Sequence, residues 1–133
     1  MTARRTKIYF DGGARPNPGV MEIAVVTGGV ATIDRNAGIG SSLDAEWLAL
    51  MAALRLARER GLCDFVLLGD AAGVVAQANG AVPARGAAAK HMAAFRDLVG
   101  DGPSPRIRHI GRAQNLAGIA LAKPHLRQAL RPT

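Results

Sequence analysis

One cysteine, Cys63, in 133 residues leaves no disulfide framework and no cysteine-built zinc site. No apolar run approaches the roughly 20 residues that a membrane helix requires. The basic N-terminus runs directly into Ile8-Tyr9-Phe10-Asp11, so a carboxylate stands where a signal peptide has its apolar centre. A cytoplasmic, soluble protein without a membrane partner is the expectation. Internal repeats, long linkers and low-complexity tracts are lacking, and residues 1–133 read as one domain. No Walker-type Gly-Lys-Ser/Thr occurs, and Gly38-Ile39-Gly40 lacks the third glycine of a dinucleotide fingerprint. Acid is missing from the last part of the chain: nothing after Asp101 is Asp or Glu, while Arg106, Arg108, Arg112, Lys123, Arg127 and Arg131 follow. The net charge is +7. A one-signed end of a domain favours a polyanionic partner; the plainer account is the base composition behind an Ala-, Arg- and Gly-rich chain.

What is present is a globular balance, 49% hydrophobic and 20% charged. Alternation predicts a strand over 5–11, then strands over 21–27 and 30–36 joined by a hairpin at Gly28-Gly29. Gly12-Gly13-Ala14-Arg15-Pro16-Asn17-Pro18-Gly19 reads as irregular, because Gly and Pro set turn dihedrals. Ser41 or Ser42 caps a helix that runs to about Arg60, with Asp44 completing a capping box and Gly61 ending the helix. Leu43, Trp47, Leu50 and Leu54 form its apolar face. Phe65 to Leu68 is a short, doubly buried strand. Helices over 71–79 and 87–99, a strand over 106–110 and a helix from near Ala113 to Lys123 complete the chain, with Pro124 kinking or ending the last helix. The order is βββαβααβα, an α/β fold.

Three acids stand out by position. Asp11 closes the first strand and Asp70 closes the buried one, and ligands of open α/β sheets collect at such carboxyl ends. If these strands are adjacent and parallel, the two aspartates lie side by side. Glu46 sits at the edge of its helix's apolar stripe, able to face a sheet end. Singly, each has a plain reading: Asp as a turn former, Glu as a macrodipole partner. Together they repel, by on the order of 4 kcal/mol per pair at about 4 Å and an effective dielectric near 20. Protonation or a divalent cation relieves that, and an all-oxygen set suits Mg²⁺ or Mn²⁺. Carboxylate-bound metal beside a basic surface is equipment for phosphodiester hydrolysis. His109 reads as a strand residue, His91 as exposed, Trp47 as core and Cys63 as a small buried residue. His125, just after Pro124, is a further metal-ligand candidate, better suited to Mn²⁺ than to Mg²⁺.

Tyr9-Phe10-Asp11-Gly12-Gly13-Ala14-Arg15-Pro16-Asn17-Pro18-Gly19 resembles the opening strand and turn of type 1 ribonuclease H domains. Ala45-Glu46-Trp47-Leu48-Ala49-Leu50 resembles their first helix, Val66-Leu67-Leu68-Gly69-Asp70 their fourth strand, and His109-Ile110-Gly111-Arg112-Ala113-Gln114-Asn115 their last strand and Arg-x-x-Asn turn. The resemblance implies a ribonuclease H-like mixed five-stranded sheet flanked by helices. It implies metal-dependent endonucleolytic hydrolysis of the RNA strand of an RNA–DNA hybrid, with Asp11, Glu46 and Asp70 as catalytic and Mg²⁺- or Mn²⁺-binding carboxylates. Gly12, Asn17, Ser42, Arg112 and Asn115 are the implied nucleic-acid contacts. The sequence departs from the pattern at Gly118, where the family has a fourth carboxylate, at Ser42-Leu43, where it has paired asparagines, and at Ala71. The loop from Gly80 to Gly86 is short, without a basic protrusion. The alternative is therefore a catalytically inactive relative that binds nucleic acid or a protein. An actin-like ATPase also begins with a strand-end Asp and glycines, but needs two domains and far more chain.

Overall fold

The computed structural model describes the backbone of residues 5–130 and the side chains of residues 5–123. Its centre is strand β1 (Thr6–Arg15), in which Ile8, Phe10, Gly12 and Ala14 are buried in strict alternation. Antiparallel β2 (Gly19–Thr27) lies on one side and leads to β3 (Val30–Asp34). Parallel β5 (Phe65–Gly69) lies on the other and leads to β6 (Arg106–His109). The order across the sheet is β3-β2-β1-β5-β6. A sixth strand, β4 (Ile39–Gly40), pairs with β2 and corrects the expected count of five. It is only two residues long, too short for any periodic signal.

The glycine-rich stretch is a second correction. Residues 12–15 are ladder, not turn: Gly12, Gly13, Ala14 and Arg15 pair with Ile23, Glu22, Met21 and Val20. The sheet partner outvotes local propensity here. Only residues 16–18 form the turn.

Helix α1 (Ser42–Glu59) begins with the expected capping box, in which the Ser41 hydroxyl accepts from the Asp44 N–H and the Asp44 carboxylate accepts from the Ser41 N–H. It ends at Gly61, whose positive φ of 65° no other residue type adopts cheaply. Trp47, Leu50 and Leu54 face the sheet, but Leu43 does not: at the first turn it is 38% exposed. Helices α2 (Ala72–Ala78) and α3 (Ala87–Val99) cover the same face. That core joins Ile8, Phe10, Trp47, Leu50, Leu54, Leu67, Val74, Phe95 and Ile107.

Among the described residues, the opposite face carries α4 (Leu116–Leu130), preceded by a 3₁₀ turn over Arg112–Gln114. The last helix thus starts later than Ala113 and continues past Pro124. The side chain of His125 lies outside the described residues. Among the described residues, Ala24, Val26, Ala117 and Leu121 are buried under α4. Two sequence expectations fail at single residues. Cys63 is exposed. His91 is held, with Nε2 2.6 Å from Asp44 Oδ1 and its ring stacked on Trp47.

Candidate metal and nucleic-acid site

Close backbone packing builds the site. A Cβ on Gly12 would lie 2.2 Å from the Ala45 carbonyl oxygen, so only glycine lets the start of α1 press onto β1. That approach brings Glu46 over the strand end. Likewise a Cβ on Gly69 would lie 2.4 Å from the Phe10 ring, so Phe10 packs flat over the end of β5 just before Asp70. The parallel register pairs Tyr9 with Leu68, and two residues on it sets Asp11 level with Asp70. Asp11 shares the face of Tyr9, the side covered by α4.

Asp11, Glu46 and Asp70 line one cavity of about 610 Å³ with Gly12, Ser42, Arg112 and Gly118. Burial, then the Asp70 charge, pushes the Asp11 carboxyl up to about 6, against the Gly12 N–H and Arg112, which favour its ionised form. Burial, then the charges of Asp11 and Asp70, pushes Glu46 up to about 7. The site therefore holds more negative charge than it solvates. Charge and donor type fit a divalent cation with a preference for oxygen. Closure does not yet fit: among the described residues no three acidic, histidine or cysteine side chains are grouped to hold an ion as they stand. The three carboxylates stand around the cavity.

Gly118 faces this cavity from the first turn of α4. A Cβ there would lie 3.2 Å from Asp11 Oδ2 and 3.9 Å from Asp70 Oδ2. Position 118, where the resemblance implies a fourth carboxylate, thus faces Asp11 and Asp70 and carries no side chain.

Among the candidate nucleic-acid contacts, Asn17 and Ser42 are linked. Asn17 Oδ1 accepts from the Ser42 N–H at 2.9 Å, and Ser42 Oγ accepts from the Ala14 N–H at 3.2 Å. The Asn17 amide NH₂ and the Ser42 O–H remain as donors. Arg112 is exposed at the cavity edge. Gly12 is buried and serves packing, with its N–H turned to Asp11. Asn115 corrects the expectation. It is 0% exposed, and its Nδ2 donates to the Phe10 carbonyl at 3.0 Å and to Asp70 Oδ2 at 3.4 Å. Its Oδ1 accepts from the Ala117 N–H, capping α4. No substrate reaches such a side chain; Asn115 ties strand end, carboxylate and helix start together.

Sequence reasoning also missed two charged residues on the cavity wall, Arg15 and Glu22. Glu22 is opposite Gly13 in the ladder and pairs at 2.8 Å with Arg35, which also donates to the Leu121 carbonyl. Glu22 belongs to no motif, and Arg15 falls in the glycine-rich stretch that reads as turn. The signal that finds them is the continuation of β1 through Arg15, which sets Glu22 on the face of Asp11.

Sheet order, the capped helix on one face and Asp11, inside β1 and not at its end as expected, beside Asp70 just past the end of parallel β5 place the protein in the class of ribonuclease H-like α/β folds. A family model described as reverse transcriptase-like matches residues 23–125. The chain belongs to that ribonuclease H-like family. It is 31% identical to RNase H1 from the halophilic archaeon Halobacterium salinarum, with a TM-score of 0.79 over 94% of this chain and 99% of that one. It is 27% identical to LC11-RNase H1, whose structure is in complex with an RNA/DNA hybrid, with a TM-score of 0.79 over 96% and 100%. The N-terminal RNase H domain of a Mycobacterium tuberculosis protein shares the fold at 24% identity and a TM-score of 0.72, over 95% of this chain and 99% of that one. Comparison with curated proteins finds no match.

Proposed function

We propose that this protein is a divalent-metal-dependent nuclease that cleaves the RNA strand of RNA–DNA hybrids, slowed by the glycine at position 118. The observation that carries this reading is the meeting of Asp11, Glu46 and Asp70 around one cavity. The hybrid bound by a relative with 27% identity supports the substrate class.

Asp11, Glu46 and Asp70 are the residues that would hold Mg²⁺ or Mn²⁺. When bound, such an ion would supply Lewis acidity to an attacking water and a departing oxygen. Asn115 orients Asp70 by donating to Oδ2. Arg112 offers a planar guanidinium to a phosphate at the cavity edge. Asn17 and Ser42, clamped to each other, present an amide and a hydroxyl donor to a backbone or a 2′-hydroxyl.

Gly118 favours a second reading, a module that binds hybrid without cutting it. Cleavage of an end-labelled hybrid in Mg²⁺ and then in Mn²⁺ decides between them. We expect slow cleavage that Asp70→Asn reduces at least about 100-fold, the cost of a lost ligand. Salt-sensitive binding without cleavage in either metal supports the binding module instead.

A further inference from the structure

We propose that Lys7, Arg106 and Arg108 form a second contact for nucleic acid, a basic track on the sheet that holds backbone phosphates of the hybrid beyond the carboxylate cavity. The inference rests on the hybrid-binding reading above and adds a surface outside that cavity. Strand register places the track. Lys7 is level with Val66, and Val66 with Arg106; two residues further on, Tyr9, Leu68 and Arg108 share a row. Ile8, Leu67 and Ile107, between these rows, point into the large core, so alternation turns Lys7, Arg106 and Arg108 to the opposite face. On that face α4 packs on β1, β2 and β3, while the helices that meet β5 and β6, α1 and α2, do so from the core side. Lys7, Arg106 and Arg108 are exposed.

Charge indicates the partner. Asp64 is shared by Arg5 at 2.9 Å and Arg106 at 3.1 Å, so it answers one charge of that pair and holds the Arg106 guanidinium in place. Lys7 and Arg108 have no ion-pair partner among the described residues. Arginines on an edge strand also discourage strand addition, which would account for Arg106 and Arg108. It does not account for Lys7, on the central strand. The track is continuous with the cavity. Arg108 stands two residues, and Arg106 four, before the level of Asp70 on the same face, about 7 and 13 Å back along the strands. Arg112 lies beyond them at the cavity edge. A strand with one phosphate at the carboxylates passes its neighbouring phosphates over these side chains, and such contacts position a duplex without reading its sequence.

The salt dependence of binding tests this. The full chain is titrated in Mg²⁺, from low to high KCl, into a fluorescein-labelled RNA–DNA hybrid with phosphorothioate linkages that resist hydrolysis, and anisotropy is read. Lys7→Gln/Arg108→Gln should bind at least about 5-fold more weakly at low salt, and its slope of log K against log salt should be shallower by roughly 1.5–2. The charge-keeping pair Lys7→Arg/Arg108→Lys should retain the wild-type slope. Arg55→Gln/Arg60→Gln removes the same net charge from α1 and its cap, on the other face, and should retain it too. An unchanged slope in Lys7→Gln/Arg108→Gln, or an equal fall in the α1 variant, would overturn the proposal while leaving hybrid binding intact. No binding by the wild type at any salt would overturn it together with the reading on which it rests.

Discussion

The two faces of the sheet are built differently. Under α1 and α3 the chain buries Trp47, Phe10, Ile8, Leu50, Leu54 and Leu67 almost completely. Among the described residues it buries two alanines, a valine and a leucine under α4. Polar ties add to them: Asn115 to the Phe10 carbonyl, Arg35 to the Leu121 carbonyl and to Glu22. At roughly 25 cal/mol per Å², the first face supplies most of the apolar stability of the described residues. The second face carries Asp11 and Gly118, and so carries chemistry. This division explains how a carboxylate position can become glycine without endangering the fold: position 118 lies outside the large core.

The division fails most visibly if large and small core residues cost the same. Trp47→Ala should destabilise by about 3–5 kcal/mol, because it empties a fully buried site. Leu121→Ala should cost about 2 kcal/mol, the low end for leucine, since the small cluster around it is at the edge of α4. Urea unfolding checks both. Equal losses would show that α4 contributes as much apolar stability as α1, and the two-face account would go.

The better-filled face was also the more legible one. Trp47, Leu50 and Leu54 repeat at helical spacing, and that repeat alone predicts the buried stripe. Asp70 follows a strand end and Glu46 sits at a stripe edge, as their positions in sequence suggest, whereas Asp11 lies inside β1, which runs on through Arg15. Local propensity misread Gly12 to Arg15, whose pairing with β2 is a long-range fact no turn rule contains. Asn115 was misread for a related reason. An asparagine before a helix looks the same in sequence whether it meets solvent or, as here, is sealed against Phe10 and Asp70. Cys63 and His91 exchanged their expected environments because neither lies on a periodic stripe.

A smaller effect lies between the faces. Asp11 and Glu46 have folded-state pKa values near 6 and 7, above their ordinary values of 3.8 and 4.5. The native state therefore binds more protons than the unfolded state across that interval, and stability falls as pH rises from about 4 to about 7. Glu46 is partly exposed, so after discounting for solvent screening the two together are worth on the order of 1–2 kcal/mol. Thermal unfolding in chelator should show this decline, and Asp11→Asn should flatten it. Millimolar Mg²⁺ should also flatten it, because a cation favours the ionised carboxylates. A flat profile in the wild type would mean that the three acids are too well solvated to need a cation.

The smallest test compares how the two site-bearing helices are started. At α1 the Ser41 hydroxyl accepts from the Asp44 N–H, at a partly exposed cap. At α4 the cap is the sealed Asn115. Ser41→Ala removes one side-chain acceptor and leaves the Ser41 N–H still bonded to Asp44, whose carboxyl that bond and His91 hold below the usual carboxylate range. The cost should be about 1 kcal/mol, a drop of roughly 3–6 °C in Tm. Because Gly12 pins Ala45 to β1 one residue before Glu46, the start of α1 should stay seated and hybrid cleavage should change less than twofold. A large loss of cleavage with little loss of stability would instead show that the cap, and not the glycine contact, sets the position of Glu46.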